Sequence, residues 1–162
     1  MTGATRIGVT GHRSLNERTR RQIAGQLRAR LQDLDAPALT GISCLAPGAD
    51  QLFAETVLEL GGGLEVVLPA RRYRDVLPAA ASAAFDALLG RACRVACLPF
   101  ERPTPRAYRA AGRAVVEGSD VLLAVWDGLP PRGVGGTGEV VAYAHDLSVP
   151  VEIVWPEGAR RR

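Results

Sequence analysis

Residues 132 to 144, RGVGGTGEVVAYA, set four glycines and a threonine directly ahead of an apolar run with helical spacing. Glycine lets a ligand approach the backbone closely, and the first N–H groups of a helix, backed by the positive end of its dipole, hold an anion without a charged side chain. Gly133, Gly135, Gly136 and Gly138 are too many for a simple turn. Thr137 either caps the helix or gives its hydroxyl to a phosphate oxygen, and the plainer alternative is a linker capped by threonine. Two further stretches, TGHRS (10–14) and APGAD (46–50), place the small residues Gly11, Gly48 and Ala49 where a strand passes into a helix. Three such turns at one sheet edge point to a ligand of nucleotide size. The polar residues beside them have matching chemistry: Arg13 for bidentate pairing with phosphate, His12 for a base or ribose, and Asp50 for a ribose hydroxyl. The structural alternatives are a loop histidine for His12 and a helix cap for Asp50. The cluster RRYRD (71–75) reads either as a basic and aromatic lid or as a solvated helix entry.

These turns need a scaffold, and the pattern of the chain supplies one. Short β-rich runs alternate with longer helical patterns throughout, the form of a βαβ protein with a parallel sheet. Six strands are expected at 6–11, 41–46, 64–69, 93–99, 121–126 and 151–155, most of them apolar enough to be covered by helices on both faces. Five helices lie between them. The first opens on a capping box, Ser14 with Glu17, and carries Ile23, Leu27, Leu31 and Leu34 on one face. The second runs from PGAD to the glycines at 61–63, the third between Pro78 and Gly90, the fourth over about 105–117, and the fifth from Thr137 to near Asp146. The expected fold is a single Rossmann-like α/β domain, an αβα three-layer sandwich spanning 1–157, with a loose arginine-rich tail at 158–162. In an open parallel sheet, ligands bind beyond the carboxyl ends of the strands where the strand order reverses, so the loops quoted above are the ones that matter.

Charge narrows the partners. The formal excess of +3 equals the contribution of Arg160, Arg161 and Arg162, and without them 17 basic residues face 17 acidic ones. An electroneutral body is unsuited to generic nucleic-acid binding, which grows with the number of phosphates neutralised. All 20 basic residues are arginine, which rules out Schiff-base chemistry and a lysine-dependent phosphate loop. Cys44, Cys93 and Cys97 lie in apolar segments without metal-ligand spacing. No metal or cofactor is called for. The thiols suit a reducing cytoplasm, and no apolar run reaches membrane-spanning length.

Taken together, IGVTGHRSL, LAPGADQLFAE and SDVLLAVWDG leading to GVGGTGEVVAYA resemble the SLOG superfamily, which joins the Lonely Guy phosphoribohydrolases, the DNA-processing A proteins and many small bacterial relatives. The resemblance covers nearly the whole chain. It implies a Rossmann-like sheet that binds a nucleotide or a nucleotide-derived ligand, often in a homodimer. In the hydrolytic branch a glycine-rich motif ending in an acid holds phosphate, and an arginine precedes the fifth strand. Here the acid's position is Val140, with Glu139 one residue early, and the arginine's position is Ala111, with Arg109 and Arg113 two residues to either side. Cleaving an N-glycosidic bond requires a carboxylate and a group that restrains the leaving base or phosphate. Glu139 and Asp127 are the candidate acids; Arg109 and Arg113 are the candidate clamps. Glu139 also suits the first turn of a helix for purely electrostatic reasons. The expectation is a module that binds or senses a phosphate-bearing nucleotide derivative, with phosphoribohydrolase action on nucleoside monophosphates as the alternative.

Overall fold

In the first strand, β1 (Thr5–Gly11), Ile7 and Val9 point to one face and Gly8 to the other, so the strand is built to be covered on both sides. The computed structural model describes residues 5–35, 38–130 and 136–160. After β1 come α1 (Glu17–Asp33), β2 (Leu39–Ser43), α2 (Ala49–Glu59), β3 (Gly63–Leu68), a single 3-10 turn (Tyr73–Val76) and α3 (Ala79–Leu89). The chain continues through β4 (Arg94–Cys97), α4 (Pro105–Glu117), β5 (Val121–Val125), α5 (Thr137–Asp146) and β6 (Val151–Ile153). The strands form one sheet in the order β4-β3-β2-β1-β5-β6, and every pairing is parallel. The α/β Rossmann-like fold expected from the sequence is the fold observed. Its strand order reverses between β1 and β5.

Two helical layers enclose the sheet. On one side Ile23, Leu27 and Leu31 of α1 join Phe53 and Val57 of α2 against Ile7, Val9, Leu123 and Val125, while Phe85 and Leu88 of α3 cover Leu64 and Val66. On the other side Ala111, Val115 and Val116 of α4 and Ala144 of α5 pack on Ile42, Val67 and Leu122. Most of the packing is aliphatic, as the few aromatics require.

Three local expectations are corrected. Helix α1 begins two residues beyond Ser14: its N-cap is Asn16, whose side-chain oxygen accepts the Thr19 N–H at 2.8 Å, so the Ser14–Glu17 capping box does not form. A short side chain two residues downstream reaches the same orphan amides, and sequence spacing alone does not choose between them. β2 stops at Ser43, short of 46, because the Ser43 hydroxyl takes the Leu45 N–H at 3.0 Å and turns the chain out of the sheet. β4 is not buried between layers. All four of its residues are exposed, because α3 and α4 both sit nearer the centre of the sheet and leave this edge uncovered.

Candidate functional site

The reversal of strand order places the loop after β1 beside the loop after β5. His12 donates its N–H to the Val125 carbonyl at 3.2 Å, which continues the β1–β5 pairing one residue past the strand. Its side chain turns toward β5. The Asp127 N–H donates to His12 Nε2 at 3.2 Å, and Asp127 Oδ1 lies 3.3 Å from the same nitrogen. Both side chains are largely shielded, at 12% and 9% exposure. The His12 ring meets the Trp155 ring edge to face, with centroids 5.4 Å apart. A turn at Gly128 (φ 80°) carries the chain back so that Asp127 Oδ1 also accepts the Leu129 N–H at 2.9 Å. Neutral, Nε2 accepts from the amide; protonated, it faces the carboxylate. The Asp127 amide and carboxylate together fix the orientation of the His12 ring.

Helix α5 opens at the same edge. Its N-cap is Gly136, with no side-chain cap, and Thr137 is the first helical residue, so Thr137 does not serve as the cap. The Glu139 and Val140 N–H groups bond to the Gly136 carbonyl at 3.1 and 3.4 Å. Among the described residues nothing accepts from the N–H groups of Thr137 and Gly138. Gly133 and Gly135 lie outside the described residues.

The other candidates divide. Glu139 is 41% exposed and lies 3.7 Å from Arg109 across the α4–α5 surface. Arg113 stacks over the Tyr143 ring at 5.0 Å, roughly 12 Å along α4 from its opening turn. The two positions at which the hydrolytic motif would put an acid and an arginine are packing positions, with Ala111 buried and Val140 partly buried in the core beneath α4 and α5. Asp127 is thus the candidate acid that meets His12 at the reversal of strand order, while Glu139 meets Arg109 on the α4–α5 surface.

The turn between β2 and α2 is built around its own residues. Gly48 has φ 80°, and a Cβ there would lie 2.5 Å from the His12 carbonyl oxygen and 2.6 Å from that of Arg13. Only glycine fits, because α2 enters directly beneath the β1 loop. The Ala49 N–H donates to the His12 carbonyl at 3.2 Å, and Gly11 faces the Ala49 and Val125 side chains. Asp50 does not cap α2, whose N-cap is Gly48. It is 7% exposed and turns inward to accept the Ala46 N–H at 3.3 Å. Burial pushes its carboxyl up to about 7, against the opposing pull of the Ala46 N–H, the Arg13 charge and the Cys44 N–H. Arg13 lies over the Tyr108 ring at 4.4 Å.

RRYRD does not form a lid. Arg71, Arg72 and Arg74 pair with Glu101, Asp75 and Asp86 at the surface, whereas Tyr73 is 1% exposed in the core beneath α2 and α3. Trp155 and Tyr108 were not singled out by sequence; each carries a weak signal, an aromatic just beyond a strand or in the first turn of a helix at the carboxyl edge of the sheet. Among the described residues, no group of three or more His, Cys, Asp or Glu side chains is placed to hold a metal ion. Among the described residues, no helix is long and apolar enough to cross a membrane.

No protein-family model matches the sequence, and no curated protein matches it. Solved structures do. DNA processing protein A from Helicobacter pylori, a structure concerned with single-stranded DNA binding, superposes with a TM-score of 0.72 at 14% identity, over 98% of this chain and 69% of that one. DNA processing protein A from Streptococcus pneumoniae gives 0.68 at 18% identity, and 92% of this chain spans half of that one. A molybdenum cofactor binding protein from the phototrophic bacterium Rippkaea orientalis gives 0.61 at 19% identity, over 94% of this chain and 77% of that one. The chain has the Rossmannoid fold that these proteins share, in keeping with the resemblance of its motifs to the SLOG superfamily. At such identities the likeness is one of fold.

Proposed function

We propose that this chain binds a phosphate-bearing nucleotide or nucleotide-derived ligand in the crevice between the loops after β1 and β5. One juxtaposition carries the reading: the shielded His12–Asp127 pair stands at the reversal of strand order, where α5 also begins. The amides of Thr137 and Gly138 and the helix dipole behind them attract phosphate. His12 and Asp127 offer a donor and an acceptor to a base or ribose, and Trp155 supplies an aromatic wall beside them. Support also comes from the fold, since proteins that share it include one described with single-stranded DNA and one with the molybdenum cofactor. AMP, NAD or ADP-ribose should raise the melting temperature, and Gly136→Ala combined with Thr137→Val should abolish the rise. An unchanged response in that double variant removes α5 from the site.

A second reading, hydrolysis of an N-glycosidic bond, rests on Asp127. A carboxylate fixed by the Leu129 N–H and facing an imidazole is positioned to stabilise a developing sugar cation or steer water. Chromatographic assay of base release from nucleoside monophosphates tests it. Asp127→Asn should stop release while Glu139→Ala leaves it intact, and the reverse pattern would return the role to Glu139.

A further inference from the structure

At the edge that α3 and α4 leave uncovered, β4 pairs with β3 on one side and has no strand on the other, and all four of its residues are exposed. Arg94 stands beside Glu65, and the Leu98 N–H donates to the Leu68 carbonyl at 3.0 Å, so Arg94, Ala96 and Leu98 turn their main-chain groups to β3. Those of Val95 and Cys97 therefore face outward. An open row of this kind is a template for another strand. The opposite edge of the sheet is guarded: β6 has three residues, lies between Pro150 and Pro156, and carries Glu152 paired with Arg30. β4 has no proline and presents apolar surface on both faces. Val95, 47% exposed, stands beside Val66 on the α3 side. Ala96 stands beside Val67 on the α4 side, where Ile42, Val67, Ala96 and Leu98 line a groove.

We propose that β4 is a dimerisation edge, through which two copies of this chain pair antiparallel about a two-fold axis at Ala96 and join their six-stranded sheets into one. The inference goes beyond the nucleotide reading and does not depend on it. This register sets Val95 opposite Cys97 of the second copy, and each such pair exchanges both of its N–H···O bonds, which uses the outward groups of both residues. Ala96 meets Ala96 at the close, non-hydrogen-bonded position on the axis, where a methyl fits without displacing either strand.

Charge selects both the arrangement and the occupant. A parallel copy would put Arg94 beside Arg94, whereas the antiparallel one puts it opposite Leu98, along which its aliphatic stem can lie. Just beyond the strand, the exposed Arg91 comes opposite Glu101 of the second copy, and Glu101 opposite its Arg91. One chain thus carries both halves of every contact, as a two-fold interface requires. The flanks leave room for it. Helix α3 covers Leu64 and Val66 but not Val95, and its exposed positions other than Asp86 are alanine. One short strand pair buries less than the roughly 1,200 Å² of a standard interface, which sets the dissociation constant on the order of 10 μM or weaker.

Sedimentation velocity of the full chain under reducing conditions, over about 1 to 500 μM, should show a monomer–dimer equilibrium. Val95→Pro removes an outward N–H and leaves the bonds to β3 in place; it should stay monomeric throughout, with circular dichroism and melting temperature checking the fold. Arg91→Glu should weaken association several-fold, and Arg91→Glu combined with Glu101→Arg should restore it. In a Cys93→Ser, Cys97→Ser background, Ala96→Cys treated with diamide, which takes up the two thiol hydrogens, should form a disulfide between copies, since opposed Cα atoms about 4.5 Å apart suit one. Leu147→Cys in the same background, 46% exposed just after α5, is the control for random collision. A chain that is monomeric over the whole range overturns the proposal. So does a folded Val95→Pro that dimerises like the wild type, which puts the contact on another surface. Linking of Ala96→Cys no faster than Leu147→Cys, or a double charge variant that stays as weak as Arg91→Glu, overturns the antiparallel pairing about Ala96.

Discussion

Replacing Asp50 by asparagine should make this protein more stable at alkaline pH. The side chain is 7% exposed, and burial lifts its carboxyl from the ordinary 3.8 to about 7. A group whose pKa is raised by folding binds its proton more tightly in the folded state, so its contribution is complete below about 4 and is lost as pH rises through 7. At 1.36 kcal/mol per unit, the interval between 3.8 and about 7 corresponds to an upper bound of about 4 kcal/mol at pH 8, and about two-fifths of that at pH 5. Asparagine resembles the neutral acid in shape, and its oxygen can still accept from the Ala46 N–H. Urea denaturation of wild type and Asp50→Asn across pH 5 to 8.5 measures the difference directly. The curves should diverge with rising pH, the variant above the wild type. Arg13→Gln should widen the divergence, because the Arg13 charge holds the carboxyl down. Curves that stay parallel would mean that Asp50 titrates like an exposed aspartate and that its burial carries no electrostatic cost.

Other substitutions probe the same architecture. Gly48→Ala puts a methyl within 2.5 Å of a backbone oxygen at φ 80°, and should cost on the order of 2 kcal/mol or more, read as a fall in melting temperature. Tyr73→Phe deletes a hydroxyl that has no partner, and its thermal denaturation should show stability unchanged or raised by up to about 1 kcal/mol. Glu139→Ala and Arg109→Ala break a half-exposed pair 3.7 Å apart, and a double-mutant cycle should return a coupling below about 1 kcal/mol.

The turns at the carboxyl edge of the sheet were legible because glycine, small residues and apolar runs follow a period that local sterics impose. What those glycines do was not. At 46–50 the residues chosen for ligand approach are consumed by packing: Gly48 lies under two carbonyls, the Ala49 N–H is bonded to His12, and Asp50 turns inward to Ala46. A glycine required by a neighbouring backbone and one required by a ligand look identical in sequence. Likewise Tyr73, set among four charged residues in RRYRD, has the local appearance of a surface group. It is buried because α2 and α3 close over the turn after β3.

By itself the sequence determined the alternation of strands and helices, the parallel sheet and the edge at which its glycine-rich loops gather, since these follow from apolar periodicity and the chirality of βαβ units. Tertiary structure alone decided which side chains meet. His12 and Asp127 are separated by most of the chain and lie 3.3 Å apart because β1 pairs with β5, and Glu139 is drawn to Arg109 because α4 packs on α5. Strand order brings such pairs together through hydrogen bonding between segments distant in sequence, and no local pattern records it.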